Sequence, residues 1–125
     1  MAKGSFVTRV LIVEDEFLIR LMLAESLTDE GYDVAEASSG EEALNILAGD
    51  PGAVQLALTD IQLGAAMDGY ELAHRLRALA PALPIIFMTG RPDVTAGQMT
   101  ARDRLVSKPY LLSEICAIAR ELLGV

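Results

Sequence analysis

The chain has 125 residues, 52% of them hydrophobic and 22% charged, with a formal net charge of −8. That length suits one globular domain, and the composition excludes a disordered or collagen-like polymer. Mean hydropathy is +0.37, yet charges or glycines interrupt every apolar run well short of the roughly 20 residues that span a bilayer, so no membrane segment is expected.

The leader, residues 1–8, carries Lys3 but no apolar stretch of signal-peptide length. Val10-Leu11-Ile12-Val13 predicts a first strand. Ile19, Leu23 and Leu27, at steps of four, predict the first helix, with Gly31 placed as its C-terminal cap. Asp33-Val34-Ala35 is the second strand. Ser39 with Glu42 has capping-box spacing and opens the second helix. Leu56-Ala57-Leu58 is the third strand, and Asp68 with Glu71 opens a third helix carrying Leu72, Leu76 and Leu79. Pro81 and Pro84 bracket its exit into the fourth strand, Ile85-Ile86-Phe87-Met88. Between Arg91 and Asp103, Pro92, Gly97 and several polar residues leave a fourth helix that is short or irregular. Leu105-Val106 forms the fifth strand, and Ile115, Ala119 and Leu122 mark the last helix.

Strand and helix alternate throughout, which implies right-handed crossovers and a parallel sheet covered on both faces. The expectation for residues 9–125 is an α/β domain: a doubly wound, five-stranded parallel sheet flanked by five helices, flavodoxin-like. Ten basic against eighteen acidic side chains repel a phosphate backbone, so direct nucleic-acid binding is not expected. The single cysteine, Cys116, cannot form an internal disulfide, which points to a reducing cytoplasm.

In such a sheet, ligands bind beyond the carboxyl ends of the strands. Strand one runs into Glu14-Asp15-Glu16, strand three into Asp60, strand four into Thr89-Gly90 and strand five into Ser107-Lys108-Pro109. Three carboxylates, those of Glu14, Asp15 and Asp60, are therefore expected at one edge with a hydroxyl and an ammonium. Gathered carboxylates are costly without a cation, and hard oxygen ligands suit Mg²⁺. Beside that ion one carboxylate can act as nucleophile toward phosphorus, with Lys108 and Thr89 facing the transferring oxygens.

Val10-Leu11-Ile12-Val13-Glu14-Asp15-Glu16, Leu58-Thr59-Asp60, Met88-Thr89-Gly90 and Ser107-Lys108-Pro109 together resemble the motifs of the response-regulator receiver domain, from about Arg9 to Leu123. The resemblance implies that Asp60 is the phospho-acceptor and Asp15 the direct metal ligand. Glu14 is then its water-mediated neighbour, and the backbone carbonyl of Gln62 a third protein ligand. It implies that Thr89 is the switch hydroxyl, that Lys108 pairs with the phosphoryl group and that the bond to Pro109 is cis. Gln62 and Arg91 stand where receivers tune acyl-phosphate lifetime. The loop from Ile61 to Gly69 lacks the family's usual proline, and the stretch from Thr89 to Lys108 is short. Leu105 stands where most receivers carry Tyr or Phe, so the family's aromatic switch cannot run through it. Phe87-Met88-Thr89-Gly90 with Lys108-Pro109-Tyr110 looks like the subgroup with F-x-T-G at strand four.

The function expected from this resemblance is a single-domain response regulator phosphorylated by a histidine kinase or phosphotransfer protein, acting on an unknown downstream protein. Dimer formation is open. Self-catalysed phosphorylation and hydrolysis are the only chemistry expected, so it is not read as a metabolic enzyme. Met1 and the end at Leu123-Gly124-Val125 favour a complete chain over an excised domain. Two other classes compete: a phosphorylation-independent interaction module, favoured by Leu105, and an aspartyl-phosphate hydrolase, opposed by Gln62 where a second Asp is needed. Among the remaining residues, His74 reads as a half-exposed helix residue, and Cys116, Met22 and Met88 as core. Tyr110 reads either as packing before the last helix or as a reporter of phosphorylation.

Overall fold

The computed structural model describes residues 7–63, 66–91 and 100–124. The strands are β1 (Arg9–Val13), β2 (Asp33–Ala37), β3 (Leu56–Asp60), β4 (Ile85–Thr89) and β5 (Asp103–Ser107). The helices are α1 (Phe17–Asp29), α2 (Gly40–Gly49), α3 (Gly69–Leu79) and α4 (Leu112–Leu123), with a 3-10 turn at Pro51–Ala53. The strands lie side by side in the order β2-β1-β3-β4-β5, and every neighbouring pair is parallel. This is the expected doubly wound sheet.

Four α-helices, not five, stand among the described residues. The expected fourth falls mostly on 92–99, outside the described residues. Its C-terminal part is corrected: Ala101 and Arg102 form a turn and Asp103 already belongs to β5. There the carboxylate of Asp103 accepts from the Thr100 N–H and hydroxyl at 2.8 and 3.1 Å and pairs with Arg77, while the Asp103 N–H donates to the Thr100 carbonyl at 3.1 Å, so the segment closes as a turn leading into the strand.

Alternation along each strand divides the core in two. Leu11, Val13, Ala57, Ile85 and Phe87 face α2 and α3 with Leu47, Leu72 and Leu76. Val10, Ile12, Leu56, Leu58, Ile86, Met88 and Val106 face α1 and α4 with Leu23, Leu27, Ile115 and Ala119. Both capping pairs close on their first bond. The Ser39 hydroxyl accepts the Glu42 N–H at 3.1 Å and Asp68 accepts the Glu71 N–H at 2.8 Å. Their reciprocal halves differ from the expected box, since Glu42 accepts from Ser38 and Glu71 pairs with Arg75 instead. Gly31 ends α1 at φ +99°, a left-handed position that favours glycine.

Helix α1 departs from expectation in one respect. Leu23, Ala24 and Leu27 are buried as its inner face, but Met22 is 52% exposed rather than a core filler. Phe17 and Leu18 are 61% and 69% exposed beside it. The Ile19, Leu23 and Leu27 series does mark the buried side, but apolar residues continue around the helix, so the pattern does not mark Met22 as outward.

Candidate functional site

Strand register and pleat assemble the site. Val13 pairs with Thr59, so the residues one step further, Glu14 and Asp60, leave adjacent strands side by side. Val10, Ile12 and Glu14 share one face of the sheet, as do Leu56, Leu58 and Asp60, and Val106 and Lys108. Each apolar series packs toward α1 and α4, and each ends in a charged residue at the carboxyl edge. Thr89 has the opposite parity and continues the Ile85, Phe87 series.

Asp60 is 4% exposed. Its Oδ1 accepts the Gln62 N–H at 2.9 Å, and its Oδ2 pairs with the Lys108 ammonium. Lys108 is delivered there by β5, and its own N–H donates to the Thr89 carbonyl at 2.7 Å. The peptide bond between Lys108 and Pro109 is cis, as the resemblance implied. The buried Thr89 hydroxyl accepts the Arg91 N–H at 2.9 Å. Gln62 and Arg91 are both exposed at the rim.

Glu14 is 1% exposed. Its Oε2 accepts the Glu16 N–H at 3.0 Å, whereas Oε1 is buried without a hydrogen-bond partner. Burial pushes its carboxyl up to about 7, with the Asp15 carboxyl and the charge of Asp60 adding to the rise; the Glu16 N–H and Lys108 pull the other way. The unfolded chain should titrate near the ordinary value of 4.5, so the folded state holds this proton more tightly. The resulting stabilisation is full below 4.5 and is lost as pH rises through 7. In chelator-treated protein, the stability of wild type relative to Glu14→Gln should fall by roughly 2 kcal/mol between pH 5 and 8. Parallel denaturation curves across that range would show that Glu14 ionises as freely as in water.

The acidic convergence is looser than the sequence implied. Among the described residues, no three His, Cys, Asp or Glu side chains are grouped closely enough to cage a metal. Asp15 is exposed, and Lys108 already serves as counter-ion to Asp60. Mg²⁺ does not require a closed cage, because one or two carboxylates with waters suffice. An unpartnered oxygen on a buried acid is the kind of atom such an ion satisfies, so the residues present fit a divalent cation. Glu14, Asp15, Asp60 and the Gln62 carbonyl are the groups that would hold it.

The close approach at Gly69 goes beyond what the residue pattern indicated. Its N–H donates to the Ile61 carbonyl at 2.7 Å, and a Cβ there would stand 2.6 Å from the Asp60 carbonyl oxygen. Only glycine lets α3 start this close to the chain that carries Asp60; the one available hint was a glycine directly after the Asp68 cap. Tyr110 is half-buried on the α1 and α4 side, which favours the packing reading. Burial, then the charges of Glu14 and Asp60, push its phenol up to about 12. Leu105 is half-buried against the opposite core, beside Phe87 in register. His74 is exposed, and the free Cys116 and Met88 are buried as expected.

Comparison with known proteins matches residues 10–120 to the family described as the response regulator receiver domain. The response regulator MprA of Mycolicibacterium vanbaalenii is 38% identical over 119 residues, covering 92% of this chain and 50% of that protein. This chain thus spans about half the length of the curated relatives it matches. A response regulator receiver protein from Sinorhizobium medicae superposes with a TM-score of 0.87 at 25% identity, covering 95% of this chain and 96% of the other. The receiver domain of the hybrid histidine kinase CckA gives a TM-score of 0.80 at 29% identity, covering 92% and 98% respectively. No helix among the described residues is long and apolar enough to cross a membrane.

Proposed function

The chain belongs to the response-regulator receiver family, and on that footing we propose that Asp60 accepts a phosphoryl group and that the phosphorylated form binds a partner protein. The donor is a phosphohistidine on a histidine kinase or phosphotransfer protein. One observation carries the reading: a buried carboxylate at the sheet's carboxyl edge, held between the Gln62 N–H and the Lys108 ammonium beside an unpartnered oxygen of Glu14.

In the transfer an oxygen of Asp60 attacks phosphorus, the P–N bond to the donor imidazole breaks, and the new P–O bond makes an acyl phosphate. The Gln62 N–H fixes the carboxylate through Oδ1. Lys108, one residue beyond β5, faces the opposite oxygen and can follow the negative charge onto the phosphoryl group. The Thr89 hydroxyl carries a proton that a phosphoryl oxygen can accept. Glu14, Asp15, Asp60 and the Gln62 carbonyl would hold a Mg²⁺ ion, which would supply positive charge to offset that of the transferring oxygens. Hydrolysis of the acyl phosphate returns Asp60, with Gln62 and Arg91 at the rim setting its lifetime. The chemistry is a signalling cycle rather than metabolic turnover. A cytoplasmic setting suits both the donor and the free Cys116.

The donor docks on the outer face of α1. Phe17, Leu18, Leu21 and Met22 lie exposed there, close after the acidic turn, with Leu111 exposed at the start of α4. Apolar surface of this kind beside a reaction centre favours a protein donor over a small phosphate ester.

The test is phosphoryl uptake from acetyl phosphate with Mg²⁺, followed by intact mass. Wild type should gain one hydroxylamine-labile phosphoryl group and Asp60→Asn none; equal uptake by the variant would end the assignment. A phosphorylation-independent binding module is the second reading, favoured by Leu105 in place of an aromatic residue. It requires equal partner affinity with and without beryllofluoride, whereas the first reading expects a difference of more than about tenfold.

A further inference from the structure

The acidic turn between β1 and α1 is gripped from behind by a cation on its own helix. Arg20 lies one turn into α1, and its side chain is only 15% exposed. Its Nη1 donates to the carbonyl oxygen of Glu14 at 2.8 Å, and its Nε stands 3.3 Å from Glu36 Oε1 at the end of β2. The guanidinium carbon sits 5.5 Å from the centre of the Phe17 ring. The other side of Glu14 is fixed as well, since its N–H donates to the Ala37 carbonyl at 3.0 Å. Both peptide groups that flank Glu14 are therefore tied, one to β2 and one to Arg20.

The carbonyl that Arg20 holds belongs to the Glu14–Asp15 peptide, so its orientation sets the direction in which Asp15 leaves the chain. We propose that Arg20 is a positioning residue for divalent-cation binding, holding this peptide so that the Asp15 carboxylate and the unpartnered Glu14 Oε1 face the same ion. The inference rests on the receiver reading above. A fork of donors suits the task, because one planar group reaches the Glu14 carbonyl and Glu36 together, whereas a lysine ammonium is a single point. Groups that orient metal ligands without touching the metal commonly change affinity by 10–100-fold when removed.

Charge and position make opposite forecasts. As a cation near a cation site, Arg20 repels Mg²⁺, so losing it on charge grounds alone tightens binding. As a clamp, losing it loosens the turn and weakens binding. Mg²⁺ titration of the chelator-treated protein, read by amide NMR shifts of Glu14 to Glu16, separates the two. Arg20→Gln should raise the Mg²⁺ Kd about tenfold. Arg20→Lys, which keeps the charge, should weaken binding nearly as much, and Glu36→Gln should weaken it by about threefold. Thermal unfolding of each variant is measured alongside. An unchanged or lower Kd in both Arg20 variants, whatever their stability, overturns the proposal while leaving the receiver reading intact. Failure of wild type to bind Mg²⁺ at all overturns both.

Discussion

Lys108→Ala should slow phosphoryl uptake from acetyl phosphate by roughly 10²–10³-fold while leaving Asp60 as the residue modified. The Lys108 ammonium pairs with Asp60 Oδ2 in the unphosphorylated protein, in a site where Asp60 itself is almost fully buried. As phosphorus moves onto Asp60, negative charge shifts from the carboxylate to the phosphoryl oxygens, and a cation already fixed beside the carboxylate needs little reorganisation to follow it. Alanine removes that charge and leaves the carboxylate with only the Gln62 N–H among the bonds described. The same substitution should move Mg²⁺ affinity in the other direction. Without a competing ammonium, Asp60 is free to face a divalent ion, and the Kd should fall several-fold. Slower transfer with tighter metal binding is the signature expected. A loss of uptake smaller than about threefold would make Lys108 a bystander held by its ion pair alone.

Pattern made most of the fold legible, and most of the site with it. Short β-branched runs gave the five strands because a sheet buried on both faces needs apolar residues at consecutive positions. Once those strands are parallel, their pleat carries Glu14, Asp60 and Lys108 to one edge and one face. The grouping was therefore readable from where each apolar run stops. Side-chain direction within a turn was not readable. Asp15 follows Glu14 in sequence, yet Glu14 is buried and Asp15 exposed. The peptides on either side of Glu14 are bonded to the Ala37 carbonyl and to Arg20, partners on other elements that adjacency in sequence does not reveal. Met22 lies outside the core for a related reason: apolar residues of α1 continue from its inner face onto its outer one, so residue type alone does not separate them.

The distant Arg77 and Asp103 pair was also invisible in the sequence, and it sets the second large expectation. Asp103→Ala should destabilise the protein by about 3 kcal/mol. The Asp103 side chain is fully buried, pairs with Arg77 of α3, and accepts both the N–H and the hydroxyl of Thr100. Alanine strips two donors on Thr100 and one guanidinium of their acceptor at once, and a partly buried charge left unpaired is the costly part. Arg77 keeps its bonds to the Leu83 carbonyl, which limits the loss. Replacing both partners, as Arg77→Met with Asp103→Leu, should recover more than half of the stability, because the cost lies in the unpaired remainder rather than in the missing attraction. Phosphoryl uptake by the folded protein should change little. Asp103 begins β5 and Lys108 follows its end, roughly 16 Å away along the strand. Between them β5 is paired with β4 at every residue from Asp103 to Ser107. Chemical denaturation and uptake kinetics on the same preparations separate these effects. Equal stability of Asp103→Ala and wild type would show the buried pair contributes nothing, and a rate loss comparable to that of Lys108→Ala would mean that β5 transmits the damage along its full length.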